Sequence, residues 1–518
     1  MLNSAPVQDV SVGRKWWKRV LAGLAALLSG QVISILGTVA VVPIYLTKWP
    51  VDRYGEWLAL SSLVAYLSAL DLGMNMGGTN KLTQEYARGD MEAYTRLLRS
   101  AMAFYLAIAS AGSVILAAAV VLLPISRWLG LRVTGVGEAA IVVFLIGMQV
   151  LWSMPAGFIG SIYRTTGDLA RTQWVRNAQD IAALTFTSVC LIAGGSMIAL
   201  AIVQLFCLAA PVICVLVDLR KRHPAMVPGL AGAQLSGIRG LVRPSLLFVL
   251  IMLATAIAVQ GPTLLISAWF GGAAVAVFVS TRTLANLARQ IVNTVTHALW
   301  PHVTALEAQA QHSRIRVLHR FWVVCSTALC ISLAAPLWFE GGDVIRLWTR
   351  GRLPPDTVLL RLLLIQIVLQ VPWQASTLIT AASNQHGRIS YAWFWSSVLG
   401  LGIAAALLTR LGLWAVPVGS IIGEGLMCYH FVLHDTCERI GEAYWKFASW
   451  LWLYLGLASS ATLLVAWGAH KVAFGPPPLR WAEVGAATVI GSGALLWAVG
   501  LGPADRHRLK SLFQLVNP

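Results

Sequence analysis

The sequence predicts an all-α polytopic membrane protein, and three features carry that prediction. Of the 518 residues, 58% are hydrophobic and only 11% are charged, whereas soluble globular chains carry about 25% charged residues. The mean hydropathy is +0.72, and the apolar residues gather in runs of about 20, the length that crosses a bilayer as a helix. These features exclude a water-soluble enzyme and a disordered or collagen-like chain.

Fourteen apolar runs of spanning length follow one another along the chain. They predict transmembrane helices 1 to 14 at about 21–46, 57–77, 100–123, 138–163, 177–196, 198–217, 244–270, 274–300, 321–339, 357–381, 390–409, 411–433, 447–470 and 481–501. The first twelve helices suit two six-helix lobes, followed by two C-terminal helices.

A basic loop rich in Gly and Pro separates predicted helices 6 and 7, where a linker between two lobes is expected. The predicted domains are an N-lobe over 1–217, this cytoplasmic linker over 218–243, a C-lobe over 244–446, and a C-terminal part over 447–518 that ends in a cytoplasmic tail. Residues 167–174 and 387–393 each open with Gly, contain an Arg and reach a Trp. This echo favours related halves, and two halves suit alternating access.

The distribution of positive charge predicts the orientation in the membrane. The formal net charge is +17 and the pI is about 10.0. With the N-terminus inside, 25 Lys and Arg lie in inner segments and 10 in outer segments, so both termini are predicted to be cytoplasmic. The same bias explains the basic pI without a nucleic-acid partner. The seven cysteines show no CxxC spacing, and we expect neither a disulfide framework nor a metal site.

The sequence favours a protein that is not an enzyme. The motifs of P-loop nucleotide binding, HExxH metalloproteases and GxSxG hydrolases do not occur in it. His430 and Asp435 have the HxxxxD spacing that some lipid acyltransferases use, but the other sequence blocks of those enzymes are missing. A membrane acyltransferase that uses His430 and Asp435 is therefore the less favoured alternative.

Predicted helix 8 has the most informative polar face. Arg282, Asn286, Arg289, Asn293 and His297 are three or four residues apart and form one stripe. An ionisable side chain in a spanning helix costs roughly 2.5–3.5 kcal/mol, so the stripe is expected to face a cavity or another helix. Two guanidinium groups about 10 Å apart along the axis suit a diphosphate, and Asn side chains suit sugar hydroxyls. Alternatively, intramembrane acids neutralise each Arg and lock helices together.

Predicted helix 10 has a stripe of polar but uncharged residues. Gln366, Gln370 and Gln374 follow one another every fourth residue, and their amides suit sugars or hydrogen bonds between helices equally well. Gln31 in helix 1 is a further polar position of this kind, which packing explains as well as substrate binding does.

Two acids lie within predicted spans, and each is a candidate for coupling to H⁺ or Na⁺. They are Asp71 in helix 2 and Glu424 in helix 12, the latter flanked by Gly423 and Gly425. Alternatively, Asp71 pairs with an arginine of helix 8 or caps a helix that is broken at Gly73, and Glu424 is open to the same two interpretations.

The first third of the chain resembles a known family. Residues 54–57 read YGEW, residues 71–73 read DLG and residues 87–90 read ARGD. These motifs resemble the opening of the polysaccharide-biosynthesis transporters, the Wzx-type flippases of the multidrug/oligosaccharidyl-lipid/polysaccharide (MOP) superfamily. In that family a YGxW turn enters helix 2, a DLG follows within it, and an acidic AxGD comes next. The helix count, the central linker and Pro301 after helix 8 are similar too.

The resemblance implies a MATE-like arrangement of two lobes around a cationic cavity lined by helices 1, 2, 7 and 8. It implies a bacterial inner-membrane flippase that moves an undecaprenyl-diphosphate-linked oligosaccharide, an O-antigen or exopolysaccharide precursor, to the periplasmic leaflet. Arg282 and Arg289 then match the diphosphate site. The polar set expected near the sugars is Asn286, Asn293, His297, Gln366, Gln370, Gln374 and Gln31.

The expected partners are the lipid-linked substrate, membrane lipid and polysaccharide polymerase or assembly proteins, without a cofactor. The related lipid II flippases place several arginines in helices 1 and 2, where this sequence has none before Lys48 and Arg53. That departure argues against a peptidoglycan precursor as cargo. The alternative transporter is a cation-coupled multidrug exporter, although two cavity arginines would repel cationic drugs.

Overall fold

A computed structural model describes residues 10–233, 235–308, 311–382 and 387–495. These residues are helical and contain no strand. Nine stretches among them are long and apolar enough to cross a membrane. One of the nine, Gly387–Ile440, is itself a hairpin of helices. The predicted all-α polytopic membrane fold is confirmed.

The described chain consists of helices joined by short turns. In order they are α1 Val10–Lys48, α2 Val51–Ala65, α3 Met74–Arg88, α4 Met91–Leu122, α5 Ile125–Trp128, α6 Val136–Thr165, α7 Leu169–Ile192, α8 Met197–Arg222, α9 Leu235–Phe270, α10 Gly272–Ala308, α11 His312–Trp348, α12 Thr357–Ala382, α13 Gly387–Leu411, α14 Ala415–Glu424, α15 His430–Ile440, α16 Tyr444–Val472 and α17 Pro477–Leu495.

The prediction of one continuous helix over 57–77 is wrong. The α-helix ends at Ala65 and continues as a 3₁₀ turn over Tyr66–Asp71 before α3 begins. Leu72 and Gly73 between them have φ angles of 50° and 67°. A left-handed backbone cannot continue the hydrogen-bond ladder of a right-handed helix, so the chain breaks there.

Packing divides the chain into two compact units. The first unit comprises the described residues within 1–48, 63–128 and 134–249, and the second those within 49–62, 129–133 and 250–518. The predicted boundaries of the two lobes and the linker remain a prediction.

Two segments from the first half of the chain are bound within the second unit by backbone hydrogen bonds. The Asp52 carboxylate accepts from the backbone N–H of Ala273 at 3.0 Å. The buried Glu56 carboxylate accepts from Arg132 and Val133 N–H at 2.6 and 2.9 Å. The start of α2 is thereby fixed to the start of α10.

The hairpin of α13 and α14 in the second unit is packed backbone to backbone. Gly412, at φ 57°, makes the turn. A Cβ atom added at Gly423 would lie 2.6 Å from Ser396 O and 2.8 Å from Gly400 N, and Gly419 is equally confined by Gly400. Small residues allow helices in membranes to approach this closely. A π-helical turn, Gly425–Tyr429, then joins α14 to α15.

Candidate functional site in the membrane-spanning region

The centre of the candidate site is the carboxylate of Glu424, the last residue of α14. Its side chain is 5% exposed and accepts hydrogen bonds from three groups of α12. Gln366 Nε2 and Gln370 Nε2 donate to Oε1 at 3.4 and 3.2 Å, and Trp373 Nε1 donates to Oε2 at 3.1 Å. Both carboxylate oxygens therefore have partners in a region where an unsatisfied acid would be costly.

Arg289 of α10 joins this network through an amide. Its Nη1 donates to Gln370 Oε1 at 3.1 Å, while the Nε2 of the same amide donates to Glu424. Gln370 therefore uses its acceptor toward the cation and its donor toward the acid. One amide links a positive and a negative side chain across three helices, α10, α12 and α14.

The local sequence explains why these groups meet. Gln366, Gln370 and Trp373 are four and three residues apart, so they share one face of α12. Gly423 brings α14 against α13 and leads directly into Glu424. The π-helical turn that follows Glu424 is a feature that recurs at functional sites in helices.

Arg282 lies two turns before Arg289 on α10 and contacts α9. Its Nη1 donates to the backbone oxygen of Val259 at 2.6 Å, and its Nη2 lies 3.4 Å from Thr263 Oγ1. The guanidinium carbon is 5.0 Å from the centre of the Phe278 ring, within range of a cation–π interaction. Arg282 is thus held by a backbone carbonyl, a hydroxyl group and the face of an aromatic ring.

The polar stripe lies next to a buried side of α10. Ala285, Ala288 and Val292, on average about 100° around the helix axis from the stripe, are 0–3% exposed. The stripe residues are more accessible, with Arg282, Asn286 and Arg289 half-buried and Asn293 exposed. The side chain of His297, the last predicted member, lies outside the described residues.

The other predicted polar residues fall on two helices. Gln374 is half-buried on α12, one turn beyond Gln370, and Gln31 is half-buried on α1 in the first unit. Gln366 and Gln370 use their amides within the second unit, which is the arrangement expected of hydrogen bonds between helices. A role of these amides toward sugars remains a prediction.

Asp71 lies at the helix break in the first unit. It is 9% exposed, accepts from Tyr105 Oη at 2.9 Å and lies 3.4 Å from the backbone N of Asn75. These contacts resemble the capping of a broken helix, one of the two alternatives raised by the sequence. A coupling role for Asp71 remains a prediction.

The pair His430 and Asp435 lacks the geometry of a catalytic dyad. Five positions apart on α15, the two residues point about 140° apart around the helix axis. Asp435 accepts from Arg388 at 3.0 Å and from Arg439 at 2.8 Å. His430 Nδ1 is instead 3.0 Å from Tyr444 Oη. The carboxylate serves as an ion-pair anchor at the end of the helix.

Sequence reasoning missed three residues of these networks, namely Trp373, Tyr105 and Thr263. A buried indole requires an acceptor, so the position of Trp373 one turn after Gln370 was an available signal. Tyr105 and Thr263 gave no comparable signal, because their partners lie on other helices. Among the described residues, no group of three or more His, Cys, Asp or Glu side chains could hold a metal ion.

No protein-family model and no curated protein sequence matches this chain. Solved structures do match its fold. The lipid II flippase MurJ in an inward closed conformation aligns with a TM-score of 0.70 at 11% identity, covering 92% of this chain and 98% of that one. An inward-facing MATE multidrug resistance transporter of the MOP superfamily aligns with a TM-score of 0.65 at 16% identity, covering 82% of this chain and 99% of the other.

A MOP superfamily transporter from Pyrococcus furiosus, described by the reversed polarity of its binding pocket, also aligns. Its TM-score is 0.61 at 16% identity, with 82% of this chain and 96% of that chain covered. The protein is therefore a multi-pass membrane protein with the fold of the MOP superfamily transporters. Within that fold, its second unit carries a buried arginine–amide–carboxylate network.

Proposed function

We propose that this protein is a flippase for an undecaprenyl-diphosphate-linked oligosaccharide, such as an O-antigen or exopolysaccharide repeat unit. It moves its cargo from the cytoplasmic to the periplasmic leaflet of a bacterial inner membrane by alternating access, with both termini in the cytoplasm. The observation that carries this proposal is the pair of half-buried arginines, two turns apart on one face of α10. The similarity of fold to a lipid flippase supports it.

The two arginines are suited to a diphosphate by their chemistry. A guanidinium group binds phosphate oxygens through two parallel hydrogen bonds, and such charge-assisted bonds are stronger where water is scarce. Arg282 is held against Phe278 and α9, and Arg289 against Gln370, so neither side chain has to be ordered when cargo binds. Asn286 and Asn293 are nearby on the same helix for the sugars.

The network also supports coupling to H⁺ or Na⁺ at Glu424. Gln370 bonds to both Glu424 and Arg289. An ion or proton that neutralises the carboxylate removes the negative charge near Arg289, and the guanidinium, still held by Gln370, then attracts the anionic cargo more strongly. In this proposal Gln366 and Gln370 position charged groups rather than bind sugars.

The test uses a strain that lacks the protein and is complemented with variants. In the strain without it, a complete diphosphate-linked repeat unit should accumulate while surface polysaccharide disappears, as measured by mass spectrometry of the lipid-linked oligosaccharides. The double variant Arg282→Ala, Arg289→Ala should fail to restore export although it inserts in the membrane. The matched control Arg410→Ala, at an exposed position near the end of α13, should restore it. Normal export by the double variant would refute the assignment of the site.

Lipid II, the cargo named for MurJ, is tested in the same way. Predicted helices 1 and 2 contain no Arg or Lys, which favours another lipid-linked cargo. We therefore expect that expression of this chain does not sustain growth when the resident lipid II flippase is depleted. Sustained growth would assign lipid II as cargo.

A cation-coupled multidrug exporter is the second candidate, and the buried Glu424 favours it. A carboxylate enclosed by donors within a spanning region is a group that a coupling cation can neutralise. This candidate predicts drug resistance on expression in a sensitive host, which Glu424→Gln abolishes. Unchanged drug sensitivity together with accumulated lipid-linked oligosaccharide would eliminate it.

A further inference from the structure

An apolar cavity of about 460 Å³ lies in the second unit, apart from the polar network. Its walls come from α11, α12 and α16, all of which contain candidate membrane spans. Two tryptophans, Trp338 and Trp452, line it, and Ser459 is the single hydroxyl-bearing side chain among the lining residues. This lining suits a hydrocarbon chain rather than a polar ligand.

One cationic side chain stands at the end of this cavity. Arg361 precedes the lining residues Leu364, Ile365 and Val368 by three, four and seven positions, so it lies on the same face of α12. Its guanidinium carbon is 5.4 Å from the centre of the Trp338 ring, and its Nε donates to Trp338 O at 3.3 Å. Trp338, a lining residue of the cavity, therefore also holds the Arg361 guanidinium in place.

Arg361 has no acidic partner in the described part of the chain. No carboxylate there lies within 4.0 Å of its guanidinium, in contrast to Arg480 near the same end of α11, which pairs with Glu340 and Asp343. The contacts with Trp338 use Nε and the flat face of the guanidinium and leave the two terminal amino groups to bind an anion. Half-buried in the second turn of α12, Arg361 is suited to the interface of the membrane.

We propose that this cavity is a binding site for a bilayer glycerophospholipid with an anionic headgroup. One acyl chain fills the space between α11, α12 and α16, and the phosphate of the headgroup binds Arg361. Basic groups beside apolar clefts between transmembrane helices are a recognised way to select anionic lipids. The lining of α16 from Trp452 to Leu463 extends about 16 Å along the helix, a depth suited to a single chain.

Gly456 shapes the cavity by lacking a side chain. It lines the cavity in the middle of α16, and a Cβ atom added there would have no heavy atom within 4 Å. A larger side chain at this position can therefore occupy the cavity without a clash. Gly468 on the same helix has equally free surroundings but is not a lining residue, and it provides the matched control.

The experiment is native mass spectrometry of the full-length protein, titrated in neutral detergent with dioleoyl phosphatidylglycerol or dioleoyl phosphatidylcholine. Wild type should retain one phosphatidylglycerol in preference to phosphatidylcholine. Gly456→Leu should lose the tightly bound lipid, while Gly468→Leu retains it. Arg361→Gln should bind phosphatidylglycerol about tenfold more weakly with phosphatidylcholine unaffected, the effect of losing one charge-assisted contact. Arg346→Gln, an exposed arginine near the end of α11, should behave as wild type.

Three results would overturn the proposal. Unchanged retention in Gly456→Leu would show that the lipid is bound elsewhere. If Arg361→Gln weakened the binding of both lipids equally, Arg361 would not be the residue that binds the headgroup. Displacement of phosphatidylglycerol by equimolar undecaprenyl phosphate would assign the cavity to a polyprenyl carrier. None of these measurements depends on the cargo proposed above.

Discussion

The two units contain the same arrangement of charges at the end of a helical hairpin. In the first unit, Arg171 at the start of α7 binds Asp218 near the end of α8 at 2.8 Å. Arg222, one turn beyond Asp218, donates to the same carboxylate at 3.2 Å. We call this set of Arg171, Asp218 and Arg222 the first clamp. It connects the start of α7 to the end of α8, at the end of the hairpin away from its turn.

The second unit repeats the arrangement with Arg388, Asp435 and Arg439, the second clamp. Arg388 at the start of α13 binds Asp435 of α15 at 3.0 Å, and Arg439 binds it at 2.8 Å from one turn beyond. In both clamps the arginine and the aspartate are 47 residues apart. The same spacing and chemistry in the two units strengthen the interpretation of the chain as two related halves.

The difference between the clamps lies in their burial. The side chain of Asp218 is 28% exposed, whereas that of Asp435 is 3% exposed. The hairpin that carries the second clamp is also the one packed through Gly400, Gly419 and Gly423. The first hairpin is therefore fastened by charges that water reaches, whereas the second combines a buried carboxylate with close glycine packing. The second, more closely packed hairpin is the one that presents Glu424.

The largest effect is expected from breaking the second clamp. Asp435→Ala removes the buried carboxylate that binds both Arg388 and Arg439, the latter only 23% exposed. We expect a loss of about 3 kcal/mol in the free energy of unfolding, at the low end for breaking a buried ion pair. The measurement is the melting temperature of the detergent-solubilised protein.

Glu438→Ala is the control for the second clamp. Glu438 is the other carboxylate that binds Arg388, and it is 58% exposed, so its removal should leave the melting temperature nearly unchanged. An equal fall in melting temperature in Asp435→Ala and Glu438→Ala would mean that the burial of Asp435 adds nothing to its effect on stability.

A smaller effect is expected from the glycine packing of the same hairpin. In Gly423→Ala the new methyl group would press on Ser396 O and Gly400 N, which are backbone atoms and cannot rotate away. Overpacking of this kind should destabilise the protein by about 2 kcal/mol. Since Glu424 is the next residue, transport should fall as well in the cell-based export assay.

Gly402→Ala on α13 is the matched control for Gly423→Ala, since a Cβ atom there meets nothing within 4 Å. It should match wild type in both stability and export. If Gly423→Ala behaved as this control does, the close approach of α13 and α14 would not be what holds Glu424 in place.

The sequence was sufficient for the helices and insufficient for their contacts. Apolar runs predict spans because the bilayer imposes a length, and a stripe on α10 follows from helical periodicity. A break at Gly73 was one of the alternatives, but the left-handed φ of Leu72 was not predictable, because it has no signature in hydropathy. The Gly–Arg–Trp echo contains one arginine of each clamp, Arg171 and Arg388, but it predicted only related halves and not these ion pairs.

The partners of those arginines, Asp218 and Asp435, could not be predicted from the sequence. They lie 47 residues away on the returning helix, and the register of that helix depends on packing. The meeting of Gln370 with Glu424 was hidden for the same reason. Each stripe can be drawn on its own helix, but which faces meet depends on packing between helices, such as the contact of Gly419 and Gly423 with α13.

The smallest effect is expected from breaking the first clamp, and it sharpens the comparison most. In Asp218→Asn the side-chain oxygen can still accept from the buried Tyr163 hydroxyl, and both arginines of the clamp keep access to water, since Arg171 is 32% exposed and Arg222 is 54% exposed. The loss in unfolding free energy should therefore stay below about 1 kcal/mol, as for other exposed ion pairs, and should shrink in high salt. Asp435→Ala should keep most of its larger loss in the same salt, because water and ions reach its carboxylate poorly.

Equal losses in unfolding free energy and equal salt dependence in the two variants would show that the two clamps contribute equally to stability. The close packing at Gly400, Gly419 and Gly423 would then be what distinguishes the second hairpin.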